Sequence, residues 1–101
     1  MNSGYIYIIG SMEHLNYVKI GISRNPPHIS RLAELQIGNP FLLQIWASFC
    51  VPKIHILKYE KFIHKKMNEK KHFNEWFNIS PKEALSIVPR LISDFEKMKK
   101  A

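Results

Sequence analysis

An acidic side chain interrupts the apolar stripe of a predicted helix near the middle of the chain. On a helix that turns 100° per residue, Glu60 falls between Ile56 and Ile63 on the apolar face. A carboxylate there costs free energy unless a cation or a hydrogen-bond donor meets it. Mg²⁺ often takes one carboxylate together with waters and a phosphate. The pattern fits a divalent-metal ligand and a structural ion pair with Arg31, Lys19 or His64 about equally well.

A histidine stands next to this carboxylate on the same helix. His64 follows Glu60 by four residues, so the two side chains are neighbours. The imidazole could orient another group, contact a phosphate or carry a proton. It could also be a half-buried ring satisfied by Glu60, and this simpler interpretation is slightly favoured.

Two early segments place tyrosines and a lysine where a hairpin would bring them together. Side chains alternate along a strand, so Tyr5 and Tyr7 share one face, as do Tyr17 and Lys19. An antiparallel hairpin can then place Tyr7 near Lys19, which would favour the phenolate and lower the pKa of the phenol. Such a tyrosine could act as a general base or position a water. On the pattern alone, an aromatic cross-strand pair with a solvated lysine is the better explanation.

The basic residues offer phosphate contacts. Arg31 lies at the edge of a helical stripe, and its guanidinium could grip a phosphate with two hydrogen bonds; the alternative is a weak i,i+3 pair with Glu34. Lys58, Lys61 and Lys65 lie opposite the apolar face of the helix that carries Glu60, so they are a solvated face that could follow a phosphate backbone.

The overall charge points to a polyanionic partner. Fifteen Lys and Arg against eight Asp and Glu give a net charge of +7. Most of these residues are lysine, so base reading by arginine is not indicated. A single cysteine, Cys50, excludes an intrachain disulfide and is expected to be a small core residue. No signal peptide or membrane-length run is recognisable, so we expect no membrane association and a cytoplasmic location.

The first half of the chain predicts a hairpin and a helix. Residues 4–9 and 17–22 are β-branched and aromatic, which is typical of strands, and their short connection favours antiparallel pairing. A helix is predicted over residues 26–37, capped by Asn25 and ended by Gly38 in a left-handed conformation. Its apolar stripe is Ile29, Leu32, Ala33 and Leu35.

The second half predicts a third strand and two helices. Residues 41–51 form an apolar run expected to be central in a sheet, and residues 54–70 form a helix. A short edge strand is expected within residues 72–79. Ser80 and Glu83 form a capping box that opens a C-terminal helix, which should kink or restart at Pro89. The predicted fold is a single α+β domain over residues 1–101, a small, mainly antiparallel three-stranded sheet of order β-β-α-β-α flanked by helices.

The same segments resemble, in order, the motifs of GIY-YIG nucleases, in particular a small phage and bacterial subgroup with KIG in place of YIG. GYIYII resembles the GIY element, VKIGIS the YIG element, and SRLAELQIGNP the arginine-bearing helix. YEKFIHKKM and NEWFNIS resemble the subgroup's E-x-x-x-H helix and EWF segment. The resemblance covers residues 4–88.

The resemblance implies specific roles. Tyr7 matches the tyrosine of the GIY element, Arg31 the arginine that contacts the scissile phosphate, and Glu60 the carboxylate that holds one divalent cation, Mg²⁺ or Mn²⁺. Lys19 replaces the second tyrosine, whose role it could take over as a phosphate contact or phenolate stabiliser. The proline-rich approach to Arg31 is longer than usual, so Arg24 is an alternative phosphate-binding arginine.

We therefore expect a metal-dependent endonuclease that hydrolyses phosphodiester bonds in nucleic acid, with double-stranded DNA as the expected partner and little sequence preference. One alternative is a catalytically silent nucleic-acid-binding module on the same fold. Another is a protein-binding domain that uses the basic surface.

Overall fold

The computed structural model of the protein describes residues 2–27 and 30–100. Two strands, β1 (Ser3–Ser11) and β2 (His14–Ser23), form the antiparallel hairpin that the aromatic and β-branched residues predict. Both strands extend beyond their predicted limits because only a two-residue turn separates them. The hairpin is the centre of the sheet.

Three further strands complete the sheet. β3 (Gln44–Pro52) pairs with β1, and β4 (Lys71–Phe73) forms a short hairpin with β5 (Trp76–Phe77) that joins β2 through β5. All pairs are antiparallel, and the order across the sheet is β3-β1-β2-β5-β4. The predicted α+β architecture is confirmed, with five strands instead of three because the expected edge segment folds into two short strands.

The third strand lies at an edge of the sheet, so the prediction that it is central is wrong. Its Ala47, Phe49 and Val51 pack against the core, whereas Ser48 and Cys50 on the opposite face are exposed. Cys50 is therefore not the small core residue that its apolar neighbours predict. An edge strand with one covered face needs apolar residues at alternate positions only.

Three helices accompany the sheet. They are α1 (Arg31–Gln36), α2 (Ile56–Lys66) and α3 (Pro81–Lys100). Single 3₁₀ turns at Lys53–His55 and Asn68–Lys70 flank α2, so the predicted helix over residues 54–70 is confirmed in place but divided at both ends.

The third helix begins at the predicted capping box. The Glu83 amide donates to Ser80 Oγ at 3.1 Å, and the Ser80 amide donates to Glu83 Oε1 at 3.5 Å. The helix does not restart at Pro89. Proline inside a helix costs about 3 kcal/mol, but burying Val88 and Leu91 on either side contributes about 1.5–3 kcal/mol each, which offsets that cost.

The first helix begins later than predicted. Asn25, the expected cap, lies in a turn where its carbonyl accepts a hydrogen bond from Ser23 Oγ. Each of the prolines 26–27 disfavours a helical conformation in the residue before it. The Leu32 amide donates to the Pro27 carbonyl at 3.0 Å, and α1 starts only after the prolines, at Arg31.

The predicted stripe of the first helix is confirmed in part. Leu32 and Leu35 pack against buried residues of the sheet, whereas Ala33 is exposed. Ile29 lies outside the described residues. Gly38 has a φ of 76°, the left-handed conformation predicted after the helix.

The two faces of the sheet carry different cores. On the helix-covered face, α2 and α3 pack on the hairpin, and the buried residues include Ile6, Ile8, Val18, Ile20, Ile56, Tyr59, Ile63, Val88 and Leu91. On the opposite face, which we call the cleft face, a smaller cluster consists of Tyr7, Ile9 and Leu43 with Leu32, Leu35 and Trp76 packed against it. The larger cluster supplies most of the apolar burial that stabilises the fold.

Candidate active site

A cleft with a volume of about 640 Å³ opens on the cleft face. It is lined by Tyr7, Lys19, Ile22, Arg31, Leu35, Glu60, His64, Lys71, Asn74 and Glu75. The five residues that the sequence predicts as catalytic or metal-binding are all in this set: Tyr7, Lys19, Arg31, Glu60 and His64. They come from β1, β2, α1 and α2, so the fold brings together residues that lie up to 57 positions apart, from 7 to 64.

The register of the hairpin places the tyrosine and the lysine on the same face. Tyr7 lies opposite Gly21, and Ile9 lies opposite Lys19, which makes Tyr7 and Lys19 diagonal neighbours. The phenol extends over Gly21, where a Cβ would come within 2.6 Å of Tyr7 Cζ and 2.9 Å of Glu75 Oε1. Glycine at this position therefore makes room for the phenol and for a carboxylate.

The tyrosine hydroxyl is held in its neutral form. Burial raises the pKa of the Tyr7 phenol well above its usual range, the negative charge of Glu75 raises it further, and Arg31 opposes the shift. The expectation that Lys19 would lower this pKa is wrong, because the Lys19 ammonium pairs with Glu75 Oε1 at 2.9 Å. A carboxylate stands beside the lysine and cancels its effect on the phenol.

Glu75 lines the cleft, but the sequence analysis gave it no role, although it is the glutamate of the EWF segment. It lies in the two-residue turn between β4 and β5, where Asn74 has a φ of 53°. The Ile20 amide donates to the Glu75 carbonyl at 3.1 Å, which fastens the turn to β2. In the sequence, an Asn-Glu pair between aromatic residues is typical of a solvated turn, and only the pairing of β5 with β2 brings this turn to the cleft.

Glu60 is half-buried and faces the cleft. Burial raises the pKa of its carboxyl to about 7, the negative charge of Glu75 and a hydrogen bond with Glu75 add to the shift, and Lys19 and Arg31 oppose it. Its Oε2 is buried and has no hydrogen-bond partner among the described residues. The positive charges of Lys19 and Arg31 therefore do not fully compensate for the burial of this carboxylate and for the negative charge of Glu75.

A divalent cation would supply the positive charge that is missing beside Glu60. The cleft holds two adjacent carboxyl groups, one of them with an unpartnered oxygen, and hard oxygen ligands suit Mg²⁺ and Mn²⁺. Within residues 2–27 and 30–100, no group of three or more His, Cys, Asp and Glu side chains is arranged around a common metal position. The donor set therefore resembles a site completed by waters and a substrate phosphate.

His64 connects the second helix to β2, the middle strand of the sheet. Its Nε2 lies 2.8 Å from the Ile20 carbonyl oxygen, and since a carbonyl only accepts, Nε2 donates. Its ring also contacts Phe77 edge-on, with centroids 5.1 Å apart. The interpretation that Glu60 satisfies this ring is wrong. The bond to Ile20 instead fixes α2 against β2, and this places Glu60 one turn earlier at the cleft.

Arg31 carries a guanidinium that the fold leaves partly unsatisfied. Its contact with Glu34 is long, 4.0 Å, and its Nε is buried without a partner among the described residues. The predicted i,i+3 pair thus exists but occupies only one side of the guanidinium. Arg24, the alternative arginine, is exposed in the bend after β2 and is not part of the cleft lining.

The predicted phosphate-tracking lysines are on the surface. Lys58, Lys61 and Lys65 are all exposed on α2, as the helical pattern predicts. Lys71, on β4, lines the cleft itself. The basic residues therefore border the cleft on the sheet side and continue along the exposed face of α2.

The fold and the cleft define a small α+β domain with a polar cleft lined by both basic and acidic side chains. The chain belongs to the T5orf172 domain family, whose model matches residues 4–92; this domain is found in phage proteins and is often associated with nuclease-like functions. No curated protein and no solved structure gives a significant match. Among the described residues, no helix combines the length and apolar character needed to cross a bilayer.

Proposed function

We propose that the protein is a metal-dependent endonuclease of the GIY-YIG type that hydrolyses phosphodiester bonds in DNA within this cleft. The observation that carries the proposal is the placement of Tyr7, Arg31 and Glu60 around one open cleft, with Glu60 Oε2 buried and unpartnered. Membership in a family associated with nuclease-like functions and a net charge of +7 support it.

Glu60 and Glu75 would hold the cation. Both are carboxyl groups at the cleft, and the raised pKa of Glu60, about 7, reflects an environment that favours its neutralisation. Mg²⁺ or Mn²⁺, when bound, would act as a Lewis acid that stabilises negative charge on the phosphate.

Arg31 and Lys19 would bind the phosphate. Arg31 lines the cleft, and a guanidinium can make two parallel hydrogen bonds to phosphate oxygens. Lys19 is held by Glu75 at 2.9 Å and adds a second positive charge from the strand. Together they would stabilise the charge that develops when a water attacks phosphorus.

Tyr7 would position the attacking water as a neutral phenol. Its raised pKa makes a phenolate costly, so its hydroxyl is better suited to hold a water by hydrogen bonding than to remove its proton. His64 donates from Nε2, which leaves Nδ1 of the neutral ring as an acceptor.

The direct test is nicking of supercoiled plasmid in the presence of Mg²⁺ or Mn²⁺. The wild type should nick, and Glu60→Ala and Arg31→Ala should lose this activity while circular dichroism shows an unchanged fold. Removing one group that stabilises developing charge costs on the order of 10²–10³-fold in rate. Arg24→Ala is the matched control and should keep its activity. Retained cutting by Glu60→Ala would refute the metal assignment.

A catalytically silent nucleic-acid-binding module is the second candidate. Lys19 in place of a second tyrosine, and the neutral Tyr7 phenol, favour it. It predicts salt-sensitive binding of DNA without any metal-dependent nicking. Binding and cleavage measured on the same DNA therefore separate the two candidates.

A further inference from the structure

A second pocket lies beside the cleft and is unlike it in character. Its volume is about 230 Å³, and aromatic side chains form most of its walls. The Tyr17 and His72 rings are 4.8 Å apart, and the His14 and Phe41 rings are 4.1 Å apart at 73°. Ring systems thus line the pocket from both sides.

The pocket and the cleft take neighbouring residues from the same face of one strand, β2. Tyr17 and Lys19 are two residues apart on β2, so their side chains point to the same face about 6.6 Å apart along the strand. Trp76, which lies opposite Lys19 in the sheet, lines the pocket, and its ring centroid is 6.0 Å from the Lys19 ammonium. A chain bound at Lys19 would reach the pocket with its next group.

The size and the chemistry of the pocket restrict its occupant. Sites for drug-sized ligands measure roughly 300–1,000 Å³, so 230 Å³ suits a single flat ring system. Aromatic walls bind a planar ring by stacking. His14, His72 and Asn39 also line the pocket and carry polar groups that could hydrogen-bond to the edge of such a ring.

We propose that this pocket binds one unstacked nucleobase of the strand whose phosphate lies in the cleft. The inference rests on the proposed function because it takes nucleic acid as the substrate. It narrows that substrate to DNA with an unpaired or flipped nucleotide next to the cleaved bond, since a base inside a duplex stack cannot enter a side pocket. Tyr17 is the principal stacking residue.

The test measures binding in EDTA, so that no cleavage occurs. The probes are a short single-stranded DNA and the same strand with abasic nucleotides, which keep the phosphates and lack the bases. Stacking contributes about 1–3 kcal/mol per base, so the wild type should bind the strand with bases about 5- to 150-fold more tightly. Tyr17→Ala should remove this difference and leave the affinity for the abasic strand unchanged.

Tyr17→Phe is the matched control, because it keeps the ring and should keep the preference for bases. If Tyr17→Ala does not fold, His72→Ala at an exposed position replaces it. Equal affinity of the wild type for both strands would overturn the proposal, as would a Tyr17→Ala variant that keeps the preference. If the pocket instead bound a partner protein, the wild type would bind both strands with equal affinity. The plasmid assay tests the proposed function separately. If the protein does not nick plasmid but binds the strand with bases more tightly, the nuclease proposal is refuted and the nucleobase-binding pocket is still supported.

Discussion

The two faces of the sheet differ in polarity: one is covered by an apolar core and the other carries a polar, open cleft. On the helix-covered face, Ile6, Ile8 and Val18 are at most 1% exposed and belong to the larger apolar cluster. The cleft face of the same strands places Tyr7 and Lys19 beside a solvent-open cleft. Because side chains alternate along a strand, one hairpin supplies both surfaces. Stability is therefore concentrated on one face, which leaves the other free to hold charges that do not stabilise the fold.

Truncation of a core residue should reveal this difference most strongly. Ile8→Ala on the helix-covered face should lower the free energy of unfolding by about 2–5 kcal/mol, because it leaves a cavity among fixed neighbours. Leu43→Ala, in the smaller cluster of the cleft face, should fall at the lower end of that range. Urea unfolding of both variants measures the contrast. Equal losses would show that the two faces share the stabilisation evenly.

Adding a methyl group to a glycine on each face should separate folding from function. At Gly21→Ala the new Cβ meets the buried Tyr7 ring and Glu75, so nicking should fall at least about 10-fold, as expected for a displaced site group. At Gly4→Ala on the helix-covered face, the new Cβ meets the flexible end of Ile56, and activity should persist. The measurement is the rate of plasmid nicking by folded samples of the two variants and the wild type. Full activity in Gly21→Ala would show that the Tyr7 position is not critical.

The pH dependence of stability should come from the cleft face. The folded pKa of Glu60, about 7, exceeds its ordinary value of 4.5, so the folded state binds the proton more tightly. The resulting stability is present below pH 4.5 and is lost as the pH rises through 7. After an allowance for solvent screening, we expect a loss of about 1–2 kcal/mol between pH 5 and pH 8 without metal.

The control is Glu60→Gln, which cannot titrate and should lack this loss. Added Mn²⁺ should reduce the loss in the wild type, because a bound cation replaces the proton. Identical pH profiles for the wild type and Glu60→Gln would contradict the raised pKa.

The exposed lysines should have the smallest effect. Lys58→Ala, Lys61→Ala and Lys65→Ala should each weaken DNA binding uniformly across sequences and lower the slope of log affinity against log salt by up to about one unit. Lys97→Ala, an exposed residue on α3, is the control and should leave the slope unchanged. Unchanged slopes for the α2 variants would place the DNA elsewhere.

The helix-covered face was largely predictable from the sequence, because burial imposes a period. The spacing of Ile56, Tyr59 and Ile63 predicts the buried face of α2, and all three are at most 1% exposed. The structure differs from the sequence prediction where the local conformational preference of a residue competes with tertiary packing. Pro89 stays inside a helix because burial on both sides outweighs its cost, and Cys50 is exposed because β3 lies at an edge.

The cleft face was predictable only in part. Glu60 stands out because it breaks an apolar stripe, and Tyr7 and Lys19 follow from hairpin alternation. Glu75 is the glutamate of the EWF segment, but that motif assigned it no role, since its place in the cleft depends on the pairing of two very short strands. The charge balance of the site depends on that pairing too. Glu75 forms an ion pair with the Lys19 ammonium, and its negative charge adds to the effect of burial in raising the pKa values of Glu60 and Tyr7.

The most direct measurement is the rate of plasmid nicking in Mn²⁺ by Glu60→Gln beside Glu69→Gln. The second variant changes an exposed glutamate close to the end of the same helix and is the control for a change of net charge. If the cleft is a metal-dependent nuclease site, Glu60→Gln abolishes nicking in a folded protein and Glu69→Gln does not. Equal nicking by both variants would contradict the account.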